Sequence, residues 1–291
     1  MRSSCRLATL LFSPLLLWLP ASVAADALWL REPALSPDGK QLAFTWQGRI
    51  FVASAEGGPA AALTGSDYLS QRPIWSPDGK KIAFAANLYG NEDVFVVPAN
   101  GGEMVRLTRD SPPDLPQAFS ADGKRLLLSS QRLGAPDADH FVAEGYQWGE
   151  LYWTPITGGT LQAELPLPAT LARPHGERLV YQMPAADQPF RKHQHSFAVP
   201  RLWLFDGKQH KQLTEDRVAA TDPVWSDKGD TLFYLSERSG DFNVWRRDLA
   251  SGKEQQLTHY QGHPVRGLSA SRSGDLVWSW LGELYRLDAG T

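Results

Sequence analysis

Apolar and polar residues alternate in short stretches along this chain, and most of these stretches follow a turn signal. In the segment SPDGKQLAF at 36–44 the turn residues come first, and the alternation that follows places Leu42, Phe44 and Trp46 on one face. A period of two predicts a β-strand. Proline presets φ at the first turn position and glycine accepts the left-handed conformation, so Ser-Pro-Asp-Gly predicts a tight hairpin turn.

This turn-and-strand segment recurs along the whole chain. The six copies are SPDGKQLAF (36–44), SPDGKKIAF (76–84), SADGKRLLL (120–128), RPHGERLVY (173–181), SDKGDTLFY (226–234) and SRSGDLVW (271–278). Their glycines lie 40, 44, 53, 53 and 45 residues apart, at Gly39, Gly79, Gly123, Gly176, Gly229 and Gly274. Repeats of this length are typical of propeller blades.

A second hairpin follows in each unit. Clear copies are IFVASAEGG (50–58), VFVVPANGG (94–102) and LYWTPITGG (151–159), and weaker ones lie at 202–210, 244–252 and 284–291. In four units a Leu-Thr pair then ends a further strand, at 63–64, 107–108, 213–214 and 257–258. Each unit therefore predicts a four-stranded sheet, which must stack on its neighbours to bury both faces.

We predict an all-β fold, a six-bladed β-propeller of four-stranded antiparallel blades whose last blade is incomplete. The predicted blades lie at about 28–64, 68–108, 114–165, 168–214, 218–258 and 263–291. A β-sandwich or a β-helix does not account for such long four-stranded units. The sixth unit stops in a hairpin turn and leaves a sheet edge open. Either residues 27–31 supply the missing strand or the natural chain continues beyond Thr291, and we favour continuation.

The first 25 residues predict a secretory signal peptide. Arg2 and Arg6 precede an apolar run at 7–19, and small residues at 21–25 suit cleavage near Ala25. The run is shorter than the roughly 20 residues that span a bilayer, although an uncleaved anchor is the alternative. We therefore expect a periplasmic or secreted protein.

The composition argues against cysteine chemistry and against a nucleic-acid partner. The only cysteine, Cys5, lies within the predicted leader, so the mature chain has no disulfide and no thiolate ligand or nucleophile. Removal of the leader leaves 27 basic and 32 acidic side chains and no long basic run. This balance does not suit a nucleic-acid partner.

Particular segments resemble known families. The SPDGK-type units resemble the TolB-like, WD-like repeats of exported bacterial proteins. The segments at 28–58, 86–102, 189–206 and 236–269 are similar to the N-terminal propeller of exported tricorn-like serine peptidases. That resemblance implies a longer protein with downstream PDZ and peptidase domains, peptides or unfolded proteins as partners, and assembly that could include a homo-oligomer. No position here matches a catalytic residue of that family.

The residues themselves offer little catalytic chemistry. The nearest approach to a nucleophile elbow is GLSAS at 267–271, which lacks the second glycine and has a strand pattern. There is no phosphate-binding loop, HExxH motif or twelve-residue calcium loop. We therefore predict no catalytic residue, no cofactor and no metal in this chain.

Two polar or aromatic segments are candidate peptide-binding sites. His193 and His195 would share one strand face, but no third metal ligand is identifiable. Arg191 and Lys192 could instead meet a peptide carboxylate, or the segment could be a solvated loop. The insertion at 129–150 adds three aromatic residues that could hold apolar peptide side chains or pack on a blade, namely Phe141, Tyr146 and Trp148.

Two further polar residues, Asp93 and Asn243, precede third strands, and we interpret them as turn-forming. The leading functional hypothesis is a non-catalytic propeller domain of a tricorn-like exported serine peptidase that binds or gates peptides and supports assembly. The alternatives are a self-contained TolB-like periplasmic protein-binding scaffold and the propeller cap of a prolyl-oligopeptidase-type peptidase.

Overall fold

The computed structural model describes residues 29–131, 149–165, 168–183 and 199–288. Their strands form six separate antiparallel sheets, five with four strands and one with three. The predicted leader at 1–25 lies outside the described residues. The prediction of an all-β, six-bladed propeller whose last blade is incomplete is confirmed.

Each blade consists of strands that follow one another in the chain and in the sheet. Blades 1 and 2 contain β1 (Arg31–Leu35), β2 (Gln41–Trp46), β3 (Arg49–Ser54), β4 (Ala61–Ala62), β5 (Ser70–Trp75), β6 (Lys81–Ala86), β7 (Asp93–Pro98) and β8 (Val105–Arg106). Blades 3 and 4 contain β9 (Asp114–Phe119), β10 (Arg125–Ser130), β11 (Glu150–Pro155), β12 (Gln162–Leu165), β13 (Thr170–His175), β14 (Arg178–Met183), β15 (Arg201–Phe205) and β16 (His210–Gln212). Blades 5 and 6 contain β17 (Ala220–Trp225), β18 (Thr231–Ser236), β19 (Asn243–Asp248), β20 (Glu254–Gln256), β21 (Arg266–Ala270), β22 (Asp275–Trp280) and β23 (Glu283–Asp288).

The Ser-Pro-Asp-Gly turns have the predicted conformation. Gly39 has a φ of 71°, which a residue with a Cβ adopts only with strain. The Ser36 hydroxyl donates to Asp38 Oδ1 at 2.6 Å and accepts the Gln41 N–H at 2.9 Å. The same two bonds recur at Ser76 and Ser120. The motif therefore closes the turn between the first and second strands with its own side chains.

The blades bury both faces of their middle strands. Ala43 and Phe44 point to opposite faces of β2, yet both are buried. Five apolar clusters each span two neighbouring blades, beginning with the one that joins Ile50 of blade 1 to Phe84 of blade 2. Sheet-on-sheet burial around a ring is therefore the main source of stability.

Each innermost strand carries a one-residue β-bulge. In five blades the residue at the bulge has a left-handed φ between 48° and 64°, at Glu32, Arg72, Leu171, Asp222 and Gly267. The equivalent residue of blade 3 is Pro116, whose ring forbids a positive φ. We call these six positions the bulge ring. They lie on the strands closest to the propeller axis.

Blades 6 and 1 meet and close the ring. The Leu30 N–H donates to the Gly282 carbonyl at 2.8 Å, and the Arg272 N–H donates to the Pro37 carbonyl at 3.0 Å. The Leu35 N–H donates to Ser269 Oγ at 3.3 Å. None of the five apolar clusters of the described residues includes both blade 6 and blade 1, and these three polar contacts join the two blades.

The alternative that residues 27–31 supply the missing strand of blade 6 does not hold for residues 29–31, the part of this segment that the structure describes. Arg31 begins β1, which pairs with β2, and β23 pairs with β22. No helix within the described ranges is long and apolar enough to cross a membrane.

Candidate functional site: the charged central channel

The six innermost strands surround a central channel with a volume of about 1350 Å³. All six bulge-ring residues line it. Four of them are non-glycine residues at left-handed φ, a conformation that costs about 1–3 kcal/mol each and is common at ligand sites. The fold therefore holds strained backbone at the place where side chains from every blade converge.

The channel wall carries charges of both signs. The acidic groups include Glu32 and Asp222, and the basic groups include Arg72, Arg173 and Arg266. Three of these belong to the bulge ring, while Arg173 lies two residues after Leu171 and Arg266 lies one residue before Gly267. The wall combines these charges with apolar surface, so it suits ligands that carry both kinds of group.

The side chains of Glu32 and Asp222 also connect neighbouring blades. Glu32 Oε2 of blade 1 accepts the backbone N–H of Arg72 in blade 2 at 2.7 Å and the Thr45 hydroxyl at 2.9 Å. In blade 5, the Asp222 carboxylate accepts the backbone N–H of Gly267 in blade 6. In both cases a bulge-ring carboxylate satisfies the backbone of the next bulge-ring residue.

Arg173 is the most restrained of the channel cations. Its guanidinium donates to the Gln117 carbonyl at 2.7 Å and to the Ala172 carbonyl at 3.0 Å. Burial lowers the pKa of Arg173 to about 10, and Arg72 acts in the same direction, while the Asp222 carboxylate opposes both. The side chain therefore stays charged at neutral pH and braces blade 4 against blade 3.

The Asp222 carboxylate interacts electrostatically with three channel arginines. Burial raises the pKa of its carboxyl group, and the positive charges of Arg173, Arg72 and Arg266 oppose that shift, in this order of strength. Burial also lowers the pKa of Arg266, against the opposing effect of Asp222. The half-buried Asp222 carboxylate thus lies within electrostatic reach of three guanidinium groups.

Arg72 differs from Arg173 because, among the described residues, its guanidinium donates no hydrogen bond, although its backbone N–H is bound by Glu32. A partly exposed cation that lines a channel and has hydrogen-bond donors to spare can bind an anionic group of a ligand. Of the channel groups, Arg72 is therefore the best placed to contact a ligand.

The described residues offer no metal centre, since no group of three His, Cys, Asp or Glu side chains could hold an ion there. The serines of the segment at 267–271 have structural contacts. Ser269 Oγ accepts the Leu35 N–H, and Ser271 Oγ accepts the Asp275 N–H at 3.1 Å. Ser269 therefore joins blade 6 to blade 1, and Ser271 stabilises the hairpin turn of blade 6.

The seven residues predicted to bind peptides lie outside the described residues. Phe141, Tyr146 and Trp148 fall in 132–148, and the basic and histidine residues fall in 184–198, namely Arg191, Lys192, His193 and His195. Their peptide-binding role stays a prediction.

Asp93 and Asn243 form hydrogen bonds with residues 13 to 15 positions further along the chain, beyond the neighbouring residues of a turn. The Asp93 carboxylate accepts from Arg106 at 2.5 Å and from the Thr108 hydroxyl at 3.3 Å. Asn243 Oδ1 accepts the Thr258 hydroxyl at 3.0 Å. Both residues therefore tie the start of a third strand to the end of the fourth.

Sequence reasoning missed the channel charges, although the sequence contains a signal for them. Glu32, Arg72 and Asp222 each precede a proline and lie four residues before the serine of the turn. A charged residue before a proline, at this repeated position of the innermost strand, is the pattern that could have located the channel.

A closed ring of six antiparallel blades around a channel defines the chain as a β-propeller. The family model described as the tricorn protease N-terminal beta propeller domain matches residues 27–291. The chain belongs to this family, and the resemblance of its sequence to tricorn-like propellers is confirmed.

Solved structures show the same fold at low sequence identity. The crystal structure of the tricorn protease matches with a TM-score of 0.75 and 18% identity, over 90% of this chain and 25% of that chain. TolB from Acinetobacter baumannii matches with a TM-score of 0.63 and 18% identity, over 82% and 56% of the two chains. An acylaminoacyl peptidase matches with a TM-score of 0.54 and 15% identity, over 90% and 45%. The chain thus spans a quarter of the tricorn protease chain.

Proposed function

We propose that this chain is the non-catalytic propeller domain of an exported tricorn-like serine peptidase, and that its central channel binds or gates peptide substrates. Family membership supports the peptidase context. The observation that carries the channel role is the guanidinium of Arg72 on the channel wall, which donates no hydrogen bond to the described residues and lies near Asp222 and the other channel cations. Peptides carry carboxylates and amides that such groups bind.

Peptide binding to the purified chain tests this role. The probes are short, unstructured, fluorescein-labelled peptides that carry glutamate side chains, compared with counterparts that carry glutamine, and binding is followed by fluorescence anisotropy. Arg72→Ala should weaken binding of the glutamate peptide at least about fivefold, because a charge-assisted hydrogen bond is lost. The glutamine peptide should be much less affected.

Arg246→Ala is the matched control. Arg246 lies on β19, away from the channel, and its replacement makes the same change in net charge. Equal effects of the two substitutions would mean that the overall charge, and not the channel, governs binding. Binding of the glutamate peptide that does not change in Arg72→Ala would contradict the proposal.

The non-catalytic part of the proposal has its own test. The purified chain should not hydrolyse an unfolded protein substrate, because the peptidase role belongs to other domains. Turnover that is sensitive to serine-directed inhibitors would contradict this expectation.

A self-contained TolB-like binding scaffold is the second candidate, and the closed junction of blades 6 and 1 favours it. It predicts that the chain without its leader unfolds in one cooperative transition and stays monomeric. Aggregation or stepwise unfolding in calorimetry and sedimentation experiments would argue against it.

The cellular context follows from the same proposal. The leader-like first 25 residues support export to the periplasm or the medium. The proposed partners are peptides or unfolded proteins, downstream PDZ and peptidase domains, and in a homo-oligomer other copies of the chain. Removal of residues 1–25 should keep the chain in the cytoplasm of an expressing bacterium, which fractionation would show.

A further inference from the structure

Acceptor side chains and arginines alternate around the central channel. Blades 1, 3 and 5 each place an acceptor side chain at the bulge of the innermost strand, namely Glu32, Gln117 and Asp222. Blades 2, 4 and 6 each contribute one channel-lining arginine from the innermost strand, namely Arg72, Arg173 and Arg266. Because successive blades are neighbours in the ring, the three arginine-bearing blades lie about one third of a turn apart.

The acceptor side chains bind backbone N–H groups of the next blade. Glu32 Oε2 accepts the N–H of Arg72 at 2.7 Å. Gln117 Oε1 accepts the N–H of Ala172, the residue before Arg173, at 3.2 Å. In each case an odd-numbered blade fixes the backbone from which the arginine of the following blade extends.

The junction of blades 5 and 6 repeats this contact. The Asp222 carboxylate accepts the N–H of Gly267, the residue after Arg266. The bulges of the three arginine-bearing blades have left-handed φ angles of 54°, 48° and 64°, at Arg72, Leu171 and Gly267. Such backbone persists only where the surrounding structure holds it, and it clusters at ligand sites. The backbones that carry the three arginines are therefore preorganised.

The three guanidinium groups converge on one part of the channel. Each of them interacts electrostatically with the Asp222 carboxylate, and Arg72 also acts on Arg173. Arg72 belongs to blade 2, which lies across the channel from blade 5 and Asp222. Its side chain therefore extends towards the channel axis. Positive groups that approach from three sides favour a bound anion between them.

The carboxylates on the wall leave donors available for a further anion. Glu32 and Asp222 each use an oxygen for a backbone contact, and burial raises the pKa of Asp222 and so disfavours its charge. Glu237 also lines the channel. Arg72 has donors to spare, and both hydrogen bonds that Arg173 forms with the described residues come from Nη1. Guanidinium donors from at least two blades can therefore bind a group that enters from solution.

We propose that the three channel arginines form one binding site for a compact tetrahedral oxyanion with two negative charges, such as inorganic phosphate. Guanidinium groups bind phosphate oxygens through paired N–H bonds, and arginine is typical of such sites. Donors from three directions suit a tetrahedral group, which presents oxygens on every side. The bound anion occupies the channel axis and competes with the acidic peptides of the proposed function. The site does not depend on peptide binding, because its ligand is a free anion.

Isothermal titration calorimetry of the full chain with phosphate tests the site, with the ionic strength held constant by chloride. We expect saturable binding of one phosphate per chain. Sulfate has the same shape and a similar charge and should bind in the same way. Nitrate is planar and carries a single charge, so it should bind at least about tenfold more weakly.

Two substitutions should shift the phosphate affinity in opposite directions. Arg72→Ala removes a guanidinium and should weaken binding at least about tenfold. Asp222→Asn removes a like charge beside the anion, keeps an acceptor oxygen for Gly267, and should strengthen binding about fivefold. Arg125→Ala is the matched control, because Arg125 lines the same channel but packs over the ring of Trp153 at 4.9 Å. Its removal makes the same change in net charge and should alter the affinity less than about twofold.

Four outcomes would overturn the proposal. They are the absence of saturable phosphate binding, an unchanged affinity in Arg72→Ala, an equal loss in Arg125→Ala, and weaker binding in Asp222→Asn. Circular dichroism of each variant establishes that it is folded, and the comparison of anions on the unmodified chain tests the site without any variant.

The labelled glutamate peptide separates this site from the peptide-binding role. Phosphate binding without peptide binding would support the anion site and contradict the peptide role. Peptide binding without phosphate binding would do the reverse. If both bind, phosphate should displace the peptide, and peptide binding that phosphate leaves unchanged would contradict the placement of the anion on the channel axis.

Discussion

Glu32 and Arg72 lie in neighbouring blades at equivalent positions, and the carboxylate of one accepts the backbone N–H of the other at 2.7 Å. The contact joins residues 40 positions apart and uses the left-handed backbone of both. Two strained bulge-ring positions are therefore joined by a hydrogen bond that also holds two blades together. The same side chain that gives the channel wall a negative charge also holds blade 1 against blade 2.

Removal of the Glu32 carboxylate should therefore destabilise the propeller. Glu32→Ala leaves the Arg72 N–H and the Thr45 hydroxyl without this acceptor, and we expect a loss of about 1–3 kcal/mol in the free energy of unfolding. Glu32→Gln keeps an acceptor oxygen and should cost less. Urea unfolding followed by fluorescence measures both, with the exposed Glu103→Ala as the control. Equal stability of Glu32→Ala and the unmodified chain would show that the contact contributes nothing.

A buried indole forms another inter-blade contact. Trp75 Nε1 of blade 2 donates to the Ala34 carbonyl of blade 1 at 2.8 Å. Trp75→Phe removes this bond and should lower the free energy of unfolding by about 1–3 kcal/mol. Trp245→Phe makes the same chemical change at an indole nitrogen that is buried without a partner, and should cost less. Chemical denaturation of the two variants tests the difference, and the reverse order of stability would refute the explanation.

The threonine of the Leu-Thr pair offers a second matched comparison. Thr108 Oγ1 accepts the buried Val94 N–H at 2.9 Å, so Thr108→Val should destabilise the chain by about 1–3 kcal/mol. The Thr154 hydroxyl is buried without a hydrogen-bond partner, so Thr154→Val should be neutral or stabilising. Thermal unfolding by calorimetry distinguishes the two. A similar loss in both variants would mean that the hydroxyl bond is not the cause.

The turn aspartates should make stability depend on pH. Hydrogen bonds from Ser36, Ser76 and Ser120 are the main cause of the lowered pKa values of Asp38, Asp78 and Asp122, respectively. A carboxyl pKa that is lower in the folded state gives stability that is present above the unfolded value of about 3.9. That stability is lost as the pH falls through the folded pKa.

The triple variant Asp38→Asn, Asp78→Asn and Asp122→Asn tests this dependence. Asparagine keeps an acceptor oxygen for the serine but does not titrate in this range. Free energies of unfolding measured between about pH 5 and pH 2 should fall less steeply for the variant than for the unmodified chain. Parallel curves would show that these turns do not contribute to acid unfolding.

The architecture was predictable because its information is local. Ser-Pro-Asp-Gly turns, alternating strands and the Leu-Thr ending each report the conformation of a few neighbouring residues, and six repetitions reveal that the blades must stack. The same logic identified the incomplete sixth blade. It did not identify how the ring closes, because Leu30 and Gly282 meet only when all the intervening blades are in place.

The candidate site was predicted less well for a related reason. The alternating pattern places Glu32, Arg72 and Asp222 on innermost strands, but it does not reveal that bulges turn their backbones left-handed beside one channel. The sequence instead drew attention to insertions such as 129–150, because an insertion interrupts a repeat visibly. Charges that occupy a regular repeat position do not interrupt it.

The sequence by itself determined the class of fold, the number of blades and the family, since each follows from short-range turn chemistry and its repetition. Only the tertiary structure decided which charges share the channel and how blade 6 meets blade 1. These are relationships between residues far apart in the chain. Their energies depend on distance and burial, which exist only after the sheets have packed around a common axis.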